Sequence, residues 1–153
     1  MNLSDRRDAL KLLGGALAWP LVSGNVLAAD VPDSSRRPRI KIGQIGVGHG
    51  HASKVAVYRA SADYEVVGIV EPDPALRKSA ETQAAYRGLR WMTQEELLQV
   101  PGLQAVLVET HVRDLLNVGE TCIAAGKHIA LDKPAGASLP QFRRLLDAAA
   151  QRK

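Results

Sequence analysis

Cysteine is nearly absent: Cys122 is the one thiol in 153 residues. No intrachain disulfide can form, so the fold rests on packing alone in any redox compartment. The run Thr121-Cys122-Ile123-Ala124-Ala125 carries no basic neighbour that would activate a thiol, and it reads as a buried helix face. A comfortable membrane span is lacking too, because the apolar stretch at 12–22 is too short. Concentrated positive charge is also missing. The net charge is +4, but the basic residues are scattered apart from Arg36-Arg37-Pro38-Arg39, so nucleic-acid binding is not indicated. Internal repeats and low-complexity tracts are absent, which excludes solenoids and long linkers.

With 46% hydrophobic and 24% charged residues, the chain reads as one globular domain behind a leader. Residues 1–29 begin with basic side chains, continue through the apolar stretch, and reach small residues at Ala28 and Ala29 suited to signal-peptidase cleavage. The start, Asp5-Arg6-Arg7-Asp8-Ala9-Leu10-Lys11, resembles a twin-arginine export signal, with Ala9 where Phe is usual. An exported, periplasmic protein is the expectation, with a linker at 30–38 and the domain at 39–153.

Beyond the linker, short apolar runs alternate with longer amphipathic ones, which predicts an α/β fold with a doubly wound parallel sheet of about five strands. Strands are expected at 39–45, 64–70, 89–92, 103–109 and 128–132. A helix is expected at 52–60, and another is opened by Pro72 and Pro74 and runs through about Tyr86. Thr93-Gln94-Glu95-Glu96 has the form of a capping box before a brief helix to Gln99. The segment 113–125 reads as a helix stopped by Gly126, and a last helix starts from a Ser138-x-x-Gln141 cap.

The stretch "IGVGHGH" ends the first strand and opens a helix. In that context a glycine loop points to a dinucleotide. Gly46 permits the tight turn, and Gly48 lets the backbone approach a pyrophosphate, with Gly50 and the N–H groups of the helix start beside it. The third glycine of the Gly-x-Gly-x-x-Gly pattern is replaced by His51, which relaxes the close helix–strand contact. Glu71, about twenty residues past the loop at the end of the second strand, suits the adenosine ribose hydroxyls and favours NAD over NADP. His49 and His51 join the loop as cofactor neighbours. As a metal site the two imidazoles fall short, since the sequence offers no evident third ligand.

Three stretches, "IKIGQIGVGHGH", "YEVVGIVEPDP" and above all "AAGKHIALDKPAGASL", resemble the glucose–fructose oxidoreductase and inositol dehydrogenase family, Gfo/Idh/MocA. Asp132-Lys133-Pro134 is similar to the family's Glu-Lys-Pro signature, with Asp for Glu. By that resemblance Lys133 is the catalytic residue, reaching substrate and the nicotinamide ribose, flanked by Asp132 and Pro134. Thr110 matches the family's Thr-Pro element after the fourth strand, while its Pro and its usual His are not matched. His111 is read either as a stand-in proton donor or as an exposed loop residue. The resemblance implies hydride transfer between NAD or NADP and a sugar or polyol. It also implies a C-terminal α/β domain that these residues do not include, and export already folded around the dinucleotide. A nucleotide-binding module without turnover is the alternative, and the sheet edge left by the fifth strand invites a homo-oligomer.

Overall fold

In a computed structural model, the described residues are 37–152. The expected leader and most of the linker lie outside them. Five strands, β1 (Ile40–Ile45), β2 (Tyr64–Val70), β3 (Trp91–Met92), β4 (Leu103–Val108) and β5 (His128–Leu131), form a parallel sheet in the order β3-β2-β1-β4-β5. The helices are α1 (Val55–Ala60), α2 (Pro74–Glu81), α3 (Gln94–Leu98), α4 (Val112–Ala124) and α5 (Leu139–Ala150). This is the expected doubly wound α/β architecture. No helix among the described residues is long and apolar enough to cross a membrane.

Side-chain alternation along the strands assigns a core to each face. In β2, Ile69 packs with Val55 of α1, Ala80 of α2 and Tyr86. Its neighbour Val70 joins Ile45, Leu97, Val106, Val108, Leu115 and Cys122 on the side of α3 and α4. Cys122 is fully enclosed there, and burial pushes its thiol up to about 12, which fits a structural role. α5 is added against α4 through Leu145, Leu116 and Ile123.

Local chemistry sets most boundaries. Thr93 and Glu96 complete the capping box, with Glu96 N–H donating to Thr93 Oγ1 at 3.2 Å and Thr93 N–H donating to Glu96 Oε2 at 2.8 Å. That backbone donor holds the Glu96 carboxyl below its ordinary value. Asp73 caps α2 by accepting the N–H groups of Ala75 and Leu76 at 2.7 and 3.2 Å. Gly126, at φ +73°, ends α4 in the left-handed region, and Ser138 caps α5 by accepting the Gln141 N–H at 3.4 Å.

Several expected elements are shorter than the sequence suggests: β3, expected at 89–92, is only Trp91–Met92, and β1, β4 and β5 each lose one residue. α2 stops at Glu81 rather than near Tyr86, and successive turns follow. A continuous helix would carry Tyr86 about 240° round from Ala80, off the buried face. Ending the helix lets Tyr86 turn inward to 2% exposure. The expected helix at 52–60 opens as a 3₁₀ turn (Ala52–Lys54), and α1 begins only at Val55.

In the register, Ile45, Val70, Met92, Val108 and Leu131 are linked pairwise across the sheet. The residues that follow them, Gly46, Glu71, Thr93, Glu109 and Asp132, therefore share its carboxyl edge, where open α/β sheets bind ligands. α3 closes this side by setting Leu97 directly over Gly43, where an added Cβ would stand 2.6 Å from Leu97 Cδ1. Leu97→Ala is expected to cost about 2–5 kcal/mol in denaturant unfolding, and Gly43→Ala about 1–3 kcal/mol by overpacking. Because the new methyl occupies part of the cavity, the double variant loses less than the sum. Simple additivity would refute this packing.

Candidate functional site

β1 ends because the chain must turn at Gly46, whose φ is +91°. A Cβ there would lie 2.5 Å from the Thr110 nitrogen and 2.6 Å from the Glu109 carbonyl carbon, so both conformation and space demand glycine. The turn is braced from within: buried Gln44 donates Nε2–H to the Gly46 carbonyl at 2.9 Å. The Glu109 N–H bonds the Ile45 carbonyl at 2.8 Å, and the His49 N–H bonds the Glu109 carbonyl at 2.9 Å.

Some of the loop's backbone donors are already engaged within the fold. The N–H groups of Ala52 and Lys54 are already given to the carbonyls of His49 and His51, at 3.1 and 2.9 Å. Those of Gly48 and Gly50 have no hydrogen-bond partner among the described residues. The backbone N–H groups left open at the loop are thus mainly those of its glycines. At Gly48 it is His111 that comes close: a Cβ there would lie 3.0 Å from the imidazole. His111 is exposed at the end of a flexible side chain, and α4 begins one residue later.

Gly48, Glu71, Thr110 and His111 line one cleft of about 550 Å³, within the range of small-molecule sites. Glu71 is fixed at it by two backbone donors, Val47 N–H to Oε2 and Asp73 N–H to Oε1, both at 2.9 Å. Apolar walls come from Val70, Leu76 and Met92, and the Arg77 guanidinium lies 5.3 Å from the Trp91 ring centre. His49, Gly50, His51, Asp132, Lys133 and Pro134 do not line this cleft. Lys133 is exposed and held through its backbone: its N–H donates to Asp132 Oδ1 at 2.7 Å, and its carbonyl lies 3.1 Å from His49 Nε2. The Lys133–Pro134 peptide is cis.

Around His49 and Asp132 is an ionic cluster that sequence reasoning only half found. Glu109 is fully buried, and Lys54 places its ammonium 2.7 Å from Glu109 Oε1 and 2.8 Å from Asp132 Oδ2. Burial alone would lower the Lys54 pKa, but its two carboxylate partners outweigh that and hold it above the ordinary value. Asp132 is held well below the usual carboxylate range, first by the Lys54 hydrogen bond, against the pull of burial, and then by the Lys133 N–H. His49 Nδ1 lies 3.6 Å from both Glu109 Oε2 and Asp132 Oδ2, and His51 Nδ1 lies 3.2 Å from Asp132 Oδ2. Folding thus supplies beside the two histidines the third ligand-type group that the local sequence does not.

Lys54, Glu109 and Gln44 were the residues missed. Two signals were available. A lysine in the first turn of a helix opposes the helix dipole, and Glu109 closes an apolar strand just as Glu71 does.

Fold, glycine loop and carboxyl-edge cleft together define a dinucleotide-binding Rossmann domain. Residues 40–153 match the GFO_IDH_MocA oxidoreductase family, NAD-binding Rossmann fold, and the chain belongs to that family. An uncharacterized oxidoreductase of Synechocystis is 27% identical over 122 residues, covering 77% of this chain and 32% of that protein. GenD2 of gentamicin A biosynthesis, solved with NAD, superposes with a TM-score of 0.66 at 24% identity, over 76% of this chain and 33% of that one. Biliverdin reductase from Synechocystis, solved with biliverdin and NADP+, gives a TM-score of 0.64 at 20% identity, over 74% and 35% of the two chains. KijD10, a 3-ketoreductase from Actinomadura kijaniata solved with TDP-benzene and NADP, gives 0.63 at 24% identity, over 75% and 36%. These structures share the fold, and this chain spans about a third of their length.

The ionic cluster is testable by stability. Lys54→Met leaves two carboxylates without their cation and is expected to cost about 2–4 kcal/mol, below the full buried-pair range because the lysine is one-third exposed. Adding Glu109→Gln should return part of that loss in urea unfolding. A double variant no more stable than Lys54→Met would contradict the pairing.

Proposed function

We propose that the domain binds NAD in preference to NADP and serves an oxidoreductase that transfers hydride to or from a sugar or polyol. In this reading the glycine loop holds the pyrophosphate, Glu71 the adenosine ribose, and Thr110 and His111 border the nicotinamide half. Lys133 stands nearest the reacting hydroxyl. The observation that carries the cofactor preference is the Glu71 carboxylate, pinned at the cleft by Val47 and Asp73. Each oxygen keeps a lone pair for a ribose hydroxyl, and the charge repels a 2′-phosphate.

Calorimetric titration of the purified chain tests the preference, with NAD expected to bind at least about tenfold tighter than NADP, the effect of about 1.4 kcal/mol. Glu71→Ala should weaken NAD by a similar factor. That variant also frees two loop N–H groups, so Glu71→Gln serves as the control, removing the charge and narrowing the NAD–NADP gap. Equal binding of both cofactors to the unaltered chain would refute the preference.

The chain by itself is expected to bind cofactor without oxidising a panel of polyols, because its match covers about a third of the relatives' length. Steady nicotinamide reduction that disappears in Lys133→Ala would instead show a complete catalyst.

The same reading includes export through Arg6 and Arg7, whose replacement by lysines should retain the precursor inside the cell. Unchanged export of that variant would point to another route.

A further inference from the structure

The electron-rich side of the ionic cluster lies outside the cleft that Glu71 lines. The His49 ring is 9% exposed, and its Nε2 faces the Lys133 carbonyl at 3.1 Å, an acceptor only. Donation to that carbonyl puts a proton on Nε2, and in that tautomer Nδ1 presents its one lone pair. In the structure that lone pair accepts the His51 backbone N–H in a long 3.3 Å bond, which a cation would displace. An imidazole that donates its far N–H to a carbonyl is the usual setting of a metal-ligating histidine.

What that lone pair meets is unusual. Glu109 Oε2 and Asp132 Oδ2 both stand 3.6 Å from it, and His51 Nδ1 stands 3.2 Å from Asp132 Oδ2. At 3.6 Å, a charge-assisted hydrogen bond is excluded. The two 3.6 Å spacings are instead those between neighbouring ligands of one small cation, since bonds of about 2.0–2.2 Å place tetrahedral neighbours about 3.3–3.6 Å apart, while the 3.2 Å His51–Asp132 contact is of hydrogen-bond length and a cation would take that proton's place. Glu109 Oε2 is buried with no hydrogen-bond partner among the described residues. Two carboxylates face the single ammonium of Lys54, so with neutral imidazoles the cluster carries one uncompensated negative charge. A ligand atom from each of His49, His51 and Asp132 falls within 4.8 Å of the others.

We propose that His49, His51 and Asp132 form a binding site for a first-row divalent cation of the zinc type, with Glu109 Oε2 as its inner anionic neighbour. Mixed imidazole and carboxylate donors suit zinc rather than magnesium or calcium. Lys54 keeps Glu109 Oε1 and shares or yields Asp132 Oδ2. His51, with its side chain 53% exposed, gives the cation a route from solvent. Bound there, the cation clamps the glycine loop to the end of β5, one residue before Lys133. The site stands whether or not the cofactor preference does.

The test uses the whole chain, stripped with a chelator and dialysed against zinc, with metal counted by mass spectrometry and cobalt(II) as a spectroscopic probe. One zinc per chain is expected, with visible cobalt absorption from a nitrogen and oxygen ligand set. His51→Ala, at an exposed side chain, should weaken zinc at least about tenfold, and His49→Gln should do the same. His128→Ala, an exposed histidine outside the cluster, should leave uptake unchanged. Circular dichroism checks that each variant is folded. The site is overturned if the unaltered chain takes up no zinc and gives no cobalt spectrum, or if a folded His49→Gln/His51→Ala chain binds zinc as tightly.

Discussion

A carboxylate without exposed surface at the end of β4 is the constraint around which this domain is arranged. Burying an ion costs several kcal/mol unless a counter-ion and hydrogen bonds compensate it. For Glu109 the counter-ion is Lys54, and Lys54 in turn holds Asp132. One ammonium therefore connects the start of the first crossover helix to the ends of β4 and β5. The glycine loop runs between these points and is bonded to Glu109 through the His49 N–H. Its shape follows from that tether as much as from its glycines.

The sheet and its site edge were legible because their signals are local. Alternation of apolar runs places β2 at 64–70 with no error, and the caps at Thr93 and Ser138 lie where their side chains require. Glu71 could be found because it follows an apolar strand at a fixed distance from a glycine loop. The Lys54–Glu109 pair could not, since it joins residues far apart in the chain, each of which alone reads as an ordinary polar residue. α2 was overextended for a related reason: helix propensity continues past Glu81, and only the pull of Tyr86 into a core built from Ile69 and Val55 ends it.

The glycine loop divides the carboxyl edge into two environments. On one side is the cleft lined by Glu71, Trp91 and Thr110. On the other is the ionic cluster beneath Lys133. The backbone of Lys133, rather than its side chain, is what this structure fixes, by Asp132 on one side and His49 on the other. Substitutions at either partner therefore act on the lysine's position before they act on its chemistry.

His51 stands where the third glycine of the fingerprint would be, and the local backbone accommodates its side chain. In the standard pattern the third glycine lets the helix pack closely on the first strand. Here the helix opens as a 3₁₀ turn, which carries position 51 outward, so that its imidazole is half exposed and turned toward Asp132. The buried positions come after it, at Ala52 with 2% exposure and at Val55, which is fully enclosed and packs with Ile69 of β2. Position 51 is thereby released to carry a side chain with chemistry of its own.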